Sequence, residues 1–458
     1  MEACVKGSSA KYGAVAIDLG ATSARFAAGW LEGGKIRYET ISQRAHAPIE
    51  REGRLEWDLD ALIALCREAV EYAAATFDTA TVGIDSWGVD HGFLDATGAL
   101  IGSPVCYRDL SHERALADVE PFQARLYSLT GIQKQPFNTL AQLVARRKED
   151  PSLPERATWL LLPDLMAHLL GGAPGCEITH ASTTQLLGVD RRWSEDAFEI
   201  AGWPVPNRQP SLPGALVGMA SENVAIARVA GHDTASAVCG LGVLREEQAF
   251  LNVGTWSLLG TVLDTPLTGN SAYEANFSNE RAADGRVRFL KNIPGFYVIN
   301  RLHEELGVPD SVPDWLARAD RSIPQRVDVL DQAFFNPPSM LEAVRERIDG
   351  VPPTREAWAG LALMSLAETT ATQLHELERV TGRKFNQIRA SGGGSSSAAF
   401  CHALTNATGC TVSAGPPEAT VLGNLAVQML AKGIFADYEE LDTCLTNSSE
   451  MTHYRPRS

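Results

Sequence analysis

The sequence lacks the features that mark membrane, disulfide-linked or nucleic-acid-binding proteins. Its eight cysteines are scattered, with no C-x-x-C pair and no tight Cys/His spacing, so neither a zinc site nor a disulfide framework is indicated. No apolar run approaches the ~20 residues of a membrane span, and the start "MEACVKGSSAKYG" lacks the apolar core of a signal peptide. The net charge of −16, without a long Lys/Arg run, disfavours nucleic acid and anionic membranes as partners. We therefore expect a soluble, cytoplasmic protein that acts on a small polar molecule.

Two common nucleotide-binding motifs are also missing. The sequence contains neither G-x-x-x-x-G-K-[ST] nor a strand-linked G-x-G-x-x-G. Any nucleotide must therefore be held in another way.

The hydrophobic pattern indicates an α/β protein with a repeated design. The stretch "YGAVAIDLGATSARFAAGWL" predicts a strand, a tight turn and a strand, and "WDLDALIALCREAVEYAAATF" predicts an amphipathic helix capped by Asp58 or Asp60. "QAFLNVGTWSLLGTVLD" has the same hairpin shape half a chain later, which suggests an internal duplication. Since 458 residues exceed one ordinary core, we predict two domains, residues 1–243 and 244–458.

Several stretches could carry chemistry. In "DLGATSAR", the turn amides, hydroxyls and Arg25 suit phosphate oxygens and the carboxylate of Asp18 suits a hydrated Mg²⁺ ion, although a plain hairpin turn explains the same residues. The matching turn "NVGTWS" would allow phosphates to be held from two sides. "SGGGSSS" lets a flat ligand approach a glycine backbone, or simply allows close packing. "GIDSWGVDHGFLD" places Trp87 near Asp90, a pairing that suits sugars but also occurs in protein cores.

The stretch "GHDTASAV" also has both a structural and a catalytic explanation. Asp233 could cap the helix that follows, or it could act as the general base for a substrate hydroxyl that small neighbouring residues allow to come close. Capping and catalysis do not exclude each other.

Taken together, the motifs resemble those of the FGGY carbohydrate kinases. The resemblance rests on "AIDLGATSAR", "WDLDAL", "GIDSWGVDHGFLDATGALIGSPVCYRD", "GIQKQPFNTLAQL", "THASTTQLLGVDRRWSE", "GHDTASAV", "NVGTWSLLG", "LKNIPGFYVINRL" and "AGPPEATVLGNLAVQ", which occur in order from about residue 14 to about residue 430. It implies two actin-like, ribonuclease H-like ATPase domains flanking a deep cleft. The first domain would hold mainly the sugar, and the second mainly ATP.

The resemblance also implies a reaction and a set of roles. It is strongest to the branch that transfers the γ-phosphoryl group of Mg-ATP to the 1-hydroxyl of L-rhamnulose, in a protein that is a monomer or a homodimer. The implied roles are as follows: Asp233 as the base; Gly88, Trp87, Asp90 and His232 at the sugar; Ala21, Thr22, Ser23, Ala24, Arg25, Thr255, Asn292, Asn300, Gly393 and Gly394 at ATP; Asp18 and Asp233 facing Mg²⁺.

The sequence departs from the family pattern at a few positions. Ala24 stands in place of the usual glycine, Asn300 in place of glutamine, and Ser395, Ser396 and Ser397 follow the glycine turn. His91 stands where the L-rhamnulose branch more often has Phe or Tyr. The alternatives are a kinase of the same fold for L-fuculose or a pentulose, a non-catalytic sugar sensor, and a filament-forming ATPase.

Overall fold

The computed structural model describes residues 12–456. The strands are β1 (Tyr12–Leu19), β2 (Ser23–Glu32), β3 (Lys35–Ala45), β4 (Ile49–Arg51), β5 (Arg54–Glu56), β6 (Thr79–Ser86), β7 (His91–Leu94), β8 (Leu100–Ile101), β9 (Thr158–Leu161), β10 (Ala215–Ser221), β11 (Val224–Arg228), β12 (Gln248–Val253), β13 (Ser257–Leu263), β14 (Ser278–Arg281), β15 (Val287–Ile293), β16 (Gln387–Ser391), β17 (Thr411–Ala414) and β18 (Thr452–Tyr454).

The helices are α1 (Leu59–Thr76), α2 (Leu110–Val119), α3 (Gln123–Thr130), α4 (Thr139–Glu149), α5 (Leu153–Arg156), α6 (Leu162–Leu169), α7 (Ile178–Ala181), α8 (Glu195–Ala201), α9 (Asp233–Gly240), α10 (Asn270–Glu274), α11 (Tyr297–Glu305), α12 (Val312–Ala317), α13 (Met340–Arg345), α14 (Arg355–Thr381), α15 (Ala398–Thr408), α16 (Ala419–Ala431) and α17 (Tyr438–Ser448).

The chain forms two compact units, and each is built from separate segments. The first unit comprises residues up to 242 together with 264–288 and 420–448, and the second comprises 243–263, 289–419 and the residues from 449 onward. The units do not follow a single cut near residue 243, because two later segments pack into the first unit.

The first unit is organised around a mixed sheet with strand order β10-β11-β6-β1-β2-β3. Strand β1 pairs antiparallel with β2 and parallel with β6, which in turn is parallel to β11. Side chains alternate along β1: Val15 and Ile17 pack in the core with α1, and Ala14 and Ala16 pack in the core with α16 and α17. Both faces of the sheet are therefore buried.

The second unit repeats this arrangement. The strands that this unit contributes to its sheet lie in the order β15-β13-β12-β16-β17-β18, in which β12 is antiparallel to β13 and parallel to β16. The hairpin, the parallel neighbours and the antiparallel last strand occur in the same sequence as in the first unit. The predicted duplication is therefore visible in the topology of the two sheets.

Local predictions from the sequence are confirmed. Helix α1 is capped by Asp58, whose side chain accepts from the backbone N–H of Ala61, and Asp60 lies in the first helical turn. In the second unit a long helix, α14, begins after residue 354, and a glycine turn joins β16 to α15.

The structure also describes the state of the cysteines and the length and hydrophobicity of the helices. Every cysteine in the described part of the chain is a free thiol, and Cys4 lies outside that part. Between residues 12 and 456, no helix is long and apolar enough to cross a membrane.

Candidate active site

Three carboxylates meet at one edge of the first unit's sheet. In the parallel pair β1 and β6, Asp18 is the register partner of Asp85, and a parallel bridge joins Ser86 to His232. Because parallel strands end at the same edge, the chain brings Asp18, Asp85 and Asp233 to one place. Asp18 and Asp85 are both buried.

The carboxylates affect one another electrostatically. Asp18 is paired with Arg25, with Oδ2 2.8 Å from Nη2. The pKa of Asp85 is raised well above its ordinary value, first by burial and then by the negative charges of Asp18 and Asp233. An amide N–H of Asn424 donates to Asp85 Oδ2 at 2.5 Å, while Asp85 Oδ1 has no hydrogen-bond partner among the described residues.

Asp233 is the first residue of α9, and its carboxylate does not cap that helix. The N-cap is His232, which makes no side-chain cap hydrogen bond. The Asp233 carboxylate accepts from the hydroxyl of Thr234 at 3.0 Å, and its side chain is 29% exposed. The capping alternative is therefore wrong.

His232 is held by a buried ion pair. Its Nδ1 lies 3.2 Å from Glu280 Oε2 and 3.1 Å from Arg288 Nη2, and these last two atoms are 3.0 Å apart. The ring's other nitrogen, Nε2, lies 3.5 Å from Asp233 Oδ1. It would also lie 3.3 Å from a Cβ atom placed on Gly88. The pair thus fixes a ring whose Nε2 faces both Gly88 and Asp233.

A second buried acid holds the backbone beside His232. Glu177 Oε2 accepts from the N–H of Gly231 at 2.9 Å and from the N–H of His180 at 3.0 Å. The hydroxyl of Thr179 donates to the same oxygen and accepts from the N–H of His232 at 3.3 Å. Burial raises the pKa of Glu177 to about 7.

Trp87 and Asp90 form a buried cluster next to Gly88. The Asp90 carboxylate accepts from the indole N–H groups of Trp57 at 2.6 Å and Trp87 at 2.9 Å, and from the amide of Gln142 at 3.0 Å. Burial raises the pKa of Asp90 to about 6. Asp90 therefore orients Trp87, whose ring lies 4.0 Å from that of Trp57.

The predicted nucleotide residues fall on both units. Ala21 and Thr22 form the turn between β1 and β2, and Ser23, Ala24 and Arg25 begin β2. In the second unit, Thr255 lies in the turn between β12 and β13, Asn292 in β15 and Asn300 in α11. Gly393 and Gly394 lie in the turn after β16.

Close backbone contacts hold together some of the predicted nucleotide-binding residues of the second unit. The N–H of Tyr297 donates to the carbonyl of Thr255 at 3.1 Å, and that of Phe296 to the carbonyl of Gly254 at 3.0 Å. A Cβ on Gly394 would lie 2.3 Å from Val253 Cγ1 and 2.9 Å from the Phe296 ring. The glycine turn and the Thr255 turn therefore lie against each other.

Sequence reasoning missed several charged or polar residues of this site. They are Glu177, His180, Glu280 and Arg288. Both ring nitrogens of the fully buried His180 lack hydrogen-bond partners among the described residues. His180 falls in the quoted stretch "THASTTQLLGVDRRWSE" without an assigned role, and the charges of the other three predict exposed positions.

The chain is similar to known proteins in both sequence and structure. Residues 13–240 match the N-terminal domain, and residues 249–432 the C-terminal domain, of the FGGY family of carbohydrate kinases. A rhamnulokinase of Yersinia pestis (strain Pestoides F) is 35% identical over 96% of this chain and 95% of its own length. One from Pectobacterium carotovorum is 34% identical over 97% of this chain and 93% of its own length.

Solved structures share the fold. A ligand-bound xylulose kinase from Lactobacillus acidophilus superposes with a TM-score of 0.80 at 15% identity, covering 97% of this chain and 94% of its own. A Plasmodium falciparum glycerol kinase with ADP gives a TM-score of 0.77 at 15% identity, covering 98% and 94%. The chain belongs to the FGGY family of carbohydrate kinases. It is therefore an ATP-dependent sugar kinase, and the predicted family and two-domain α/β fold are confirmed.

Proposed function

We propose that this kinase transfers the γ-phosphoryl group of ATP to the 1-hydroxyl of L-rhamnulose, giving L-rhamnulose 1-phosphate. The substrate is supported by the near-full-length similarity to rhamnulokinases. The reaction is supported above all by Asp233, a partly exposed carboxylate that does not cap its helix and lies beside a fixed imidazole.

Asp233 acts as the general base. The sugar hydroxyl oxygen attacks the γ-phosphorus, the bond to the β-phosphate oxygen breaks, ADP leaves, and the hydroxyl proton passes to the Asp233 carboxylate. An alcohol ionises too weakly near neutral pH to attack without such a base.

The sugar is held by His232, Gly88, Trp87 and Asp90. Nε2 of His232 hydrogen-bonds a sugar hydroxyl, and the missing side chain at Gly88 leaves room beside it. Trp87 offers an aromatic edge that Asp90 orients through the indole N–H. The sugar is thus assigned to the first domain, residues 1–243.

ATP is held by two sets of residues. Backbone amides, hydroxyls and the guanidinium of Ala21, Thr22, Ser23, Ala24 and Arg25 bind phosphate oxygens. Thr255, Asn292, Asn300, Gly393 and Gly394 serve the rest of the nucleotide, in the second domain, residues 244–458.

A Mg²⁺ ion fits the carboxylate edge of the first unit. Burial and the charges of Asp18 and Asp233 raise the pKa of Asp85, and a divalent cation would offset that repulsion. Among residues 12–456 no three acidic, histidine or cysteine side chains form a ready metal cluster. This suits Mg²⁺, which keeps several waters and binds substrate phosphates, so Asp18 and Asp233 would hold it through water. When bound, it neutralises charge on the phosphates.

The proposed setting is the cytoplasm, where ATP is supplied, and the proposed state is a monomer or a homodimer.

An ADP-release assay with Mg-ATP tests the proposed substrate by comparing L-rhamnulose, L-fuculose, L-ribulose, D-xylulose and glycerol as phosphoryl acceptors. We expect a strong preference for L-rhamnulose. A preference for L-fuculose or a pentulose would overturn the substrate but not the kinase.

Replacing Asp233 by Asn tests the base. We expect Asp233→Asn to keep sugar binding and to lower the single-turnover rate roughly 10²-fold or more, because the proton acceptor is lost. The exposed Asp60, in the first turn of α1, supplies a control: Asp60→Asn should leave the rate unchanged. Equal rates for the two variants would rule out Asp233 as the base.

A further inference from the structure

His46, which directly follows β3, holds the turn predicted to bind phosphate. Its Nε2 lies 2.7 Å from the carbonyl oxygen of Gly20. Because a carbonyl oxygen can only accept, Nε2 carries the hydrogen and donates it. The backbone N–H of His46 donates to the carbonyl oxygen of Thr22 at 3.1 Å. One residue therefore fixes two carbonyl groups of the turn.

The hydrogen bond to Gly20 also sets the direction of a backbone amide. The peptide that joins Gly20 to Ala21 is trans, so its carbonyl and its N–H point in opposite directions. Since the carbonyl is held towards the imidazole, the N–H of Ala21 points away from it. Ala21 is half-buried and Thr22 is exposed, so the turn is open to a ligand. An N–H that is oriented before binding loses less conformational entropy when a phosphate oxygen arrives.

The ring of His46 also packs against the aromatic cluster of the predicted sugar site. Its centroid lies 5.5 Å from that of Trp57, edge-on, and 5.7 Å from that of Trp87. These are the two indoles whose N–H groups donate to Asp90. The backbone N–H of Trp87 donates to the carbonyl of Leu19, at the start of the phosphate turn, at 3.2 Å. The cluster and the turn are thus joined both directly and through one imidazole.

This link spans separate parts of the chain, unlike a second imidazole–carbonyl bond in the same unit. Nδ1 of His168, in the last turn of α6, lies 3.1 Å from the carbonyl oxygen of Gly172, four residues away. The bond from His46 to Gly20 joins residues 26 positions apart. The His168 bond closes a local turn, whereas the His46 bond connects two predicted binding regions.

We propose that His46 is a positioning residue that makes sugar binding and ATP binding depend on each other. The proposal rests on the proposed function, because it takes Trp87 as part of the sugar site and Ala21 as part of the phosphate site. A sugar that packs against Trp87 fixes the indole beside the imidazole, and the fixed imidazole holds the Gly20 carbonyl. The N–H of Ala21 is then held in place for the phosphates. By linkage, ATP must tighten sugar binding by the same factor.

Isothermal titration calorimetry on the full-length protein measures this dependence. The Kd of Mg²⁺-bound AMP-PNP, a non-hydrolysable ATP analogue, is determined with and without saturating L-rhamnulose. We expect the sugar to lower that Kd about fivefold or more in the wild type, within the usual range of coupling between two sites.

Two substitutions separate the hydrogen bond from the ring contact. His46→Phe keeps a ring beside the indoles and removes the donor, so the KM for ATP should rise several-fold while the KM for the sugar stays constant. His46→Gln keeps an N–H donor and removes the ring, so the KM for the sugar should rise while the KM for ATP stays constant. Each variant should lose most of the coupling measured by calorimetry.

His168→Phe is the matched control, because it also replaces a half-buried imidazole that bonds a carbonyl. It should leave the coupling and both KM values unchanged. Thermal unfolding confirms that each variant is folded.

Coupling of wild-type size in both His46 variants would overturn the proposal, as would a wild type without coupling. Variants that only lower the unfolding temperature and change both KM values alike would also overturn it. A wild type that binds L-fuculose or a pentulose, but not L-rhamnulose, would overturn the proposed substrate instead. Loss of coupling with that other sugar in both variants would still support the role of His46.

Discussion

At the scale of the residue, the imidazole beside the proposed base Asp233 is held by a buried ion pair. Burial alone would raise the pKa of Glu280, but Arg288 and His232 outweigh it and hold that pKa below its ordinary value. Glu280 is therefore ionised near neutral pH and is held against a fully buried guanidinium. Removing one partner of such a pair leaves the other charge uncompensated.

We expect Glu280→Gln to lower the free energy of unfolding by about 3 kcal/mol at pH 7, measured by urea denaturation. Because the folded-state pKa of Glu280 is depressed, its contribution is present above the unfolded value near 4.5 and is lost as pH falls through the folded value. The difference between wild type and variant should therefore shrink below about pH 4.5.

The same variant tests positioning. Since Glu280 holds His232, the KM for the sugar should rise several-fold while the KM for ATP stays constant. Asp118→Asn, in an exposed pair with Lys148, is the control and should cost less than about 1 kcal/mol. A variant with normal stability and normal sugar KM would show that the pair does not support the ring.

Some of these residues can be predicted from the sequence, and others cannot. Asp18 and Asp233 can be proposed as site residues because each lies next to glycines or small residues at a strand or helix end. Glu177, Glu280 and Arg288 lie in stretches that look like ordinary charged surface, and their burial depends on segments far apart in the chain. Tertiary packing of this kind leaves no local pattern.

At the scale of the element, the small residues around Asp233 serve the contact between α9 and α16. A Cβ placed on Gly423 would lie 1.9 Å from the carbonyl oxygen of Ser236 and 2.8 Å from the backbone nitrogen of Gly240. Backbone atoms cannot move aside as a flexible side chain can. Helix α9, which begins at Asp233, therefore packs directly against α16.

Gly423→Ala should consequently destabilise the protein by about 1–3 kcal/mol, the usual cost of overpacking, and should reduce turnover by shifting α9. Thermal unfolding and steady-state kinetics would measure both. Gly269→Ala is the matched substitution, because a Cβ there meets no atom within 4 Å, and its cost should stay below about 1 kcal/mol. Equal destabilisation by the two variants would contradict the close contact.

Of the three scales, the sequence predicts the helices and strands best. The hairpins and α1 follow from hydrophobic spacing and caps, which act over a few residues. The pairing of α16 with the first unit was not predicted, because it joins parts of the chain about 400 residues apart. Gln428 on α16 donates to the carbonyl of Val15 at 3.0 Å, and no local signal specifies that partner.

At the scale of the whole molecule, the first unit is incomplete without the end of the chain. Asn424 bonds Asp85, Gln428 bonds Thr81 on β6, and the hydroxyl of Ser448 accepts from the N–H of Ile36. Tyr127 also donates to the carbonyl of Phe277. Residues 1–243 alone would leave one face of the sheet uncovered.

We expect a fragment of residues 1–243 to bind a hydrophobic dye and to unfold without a cooperative transition, because α16 and α17 are absent. Circular dichroism during urea titration would measure this against the full chain, which should unfold cooperatively. A fragment with a sharp transition of its own would show that the first 243 residues fold independently.

Because the first unit is built from separate segments of the chain, it cannot be completed early in biosynthesis. The first unit is completed only by residues up to 448, about 200 residues after its main segment ends. At translation speeds of about 5–20 residues per second, that interval lasts roughly 10–40 s. During that interval the apolar face that α16 will cover remains exposed on the nascent chain, and exposed apolar surface of this kind is what chaperones protect from aggregation.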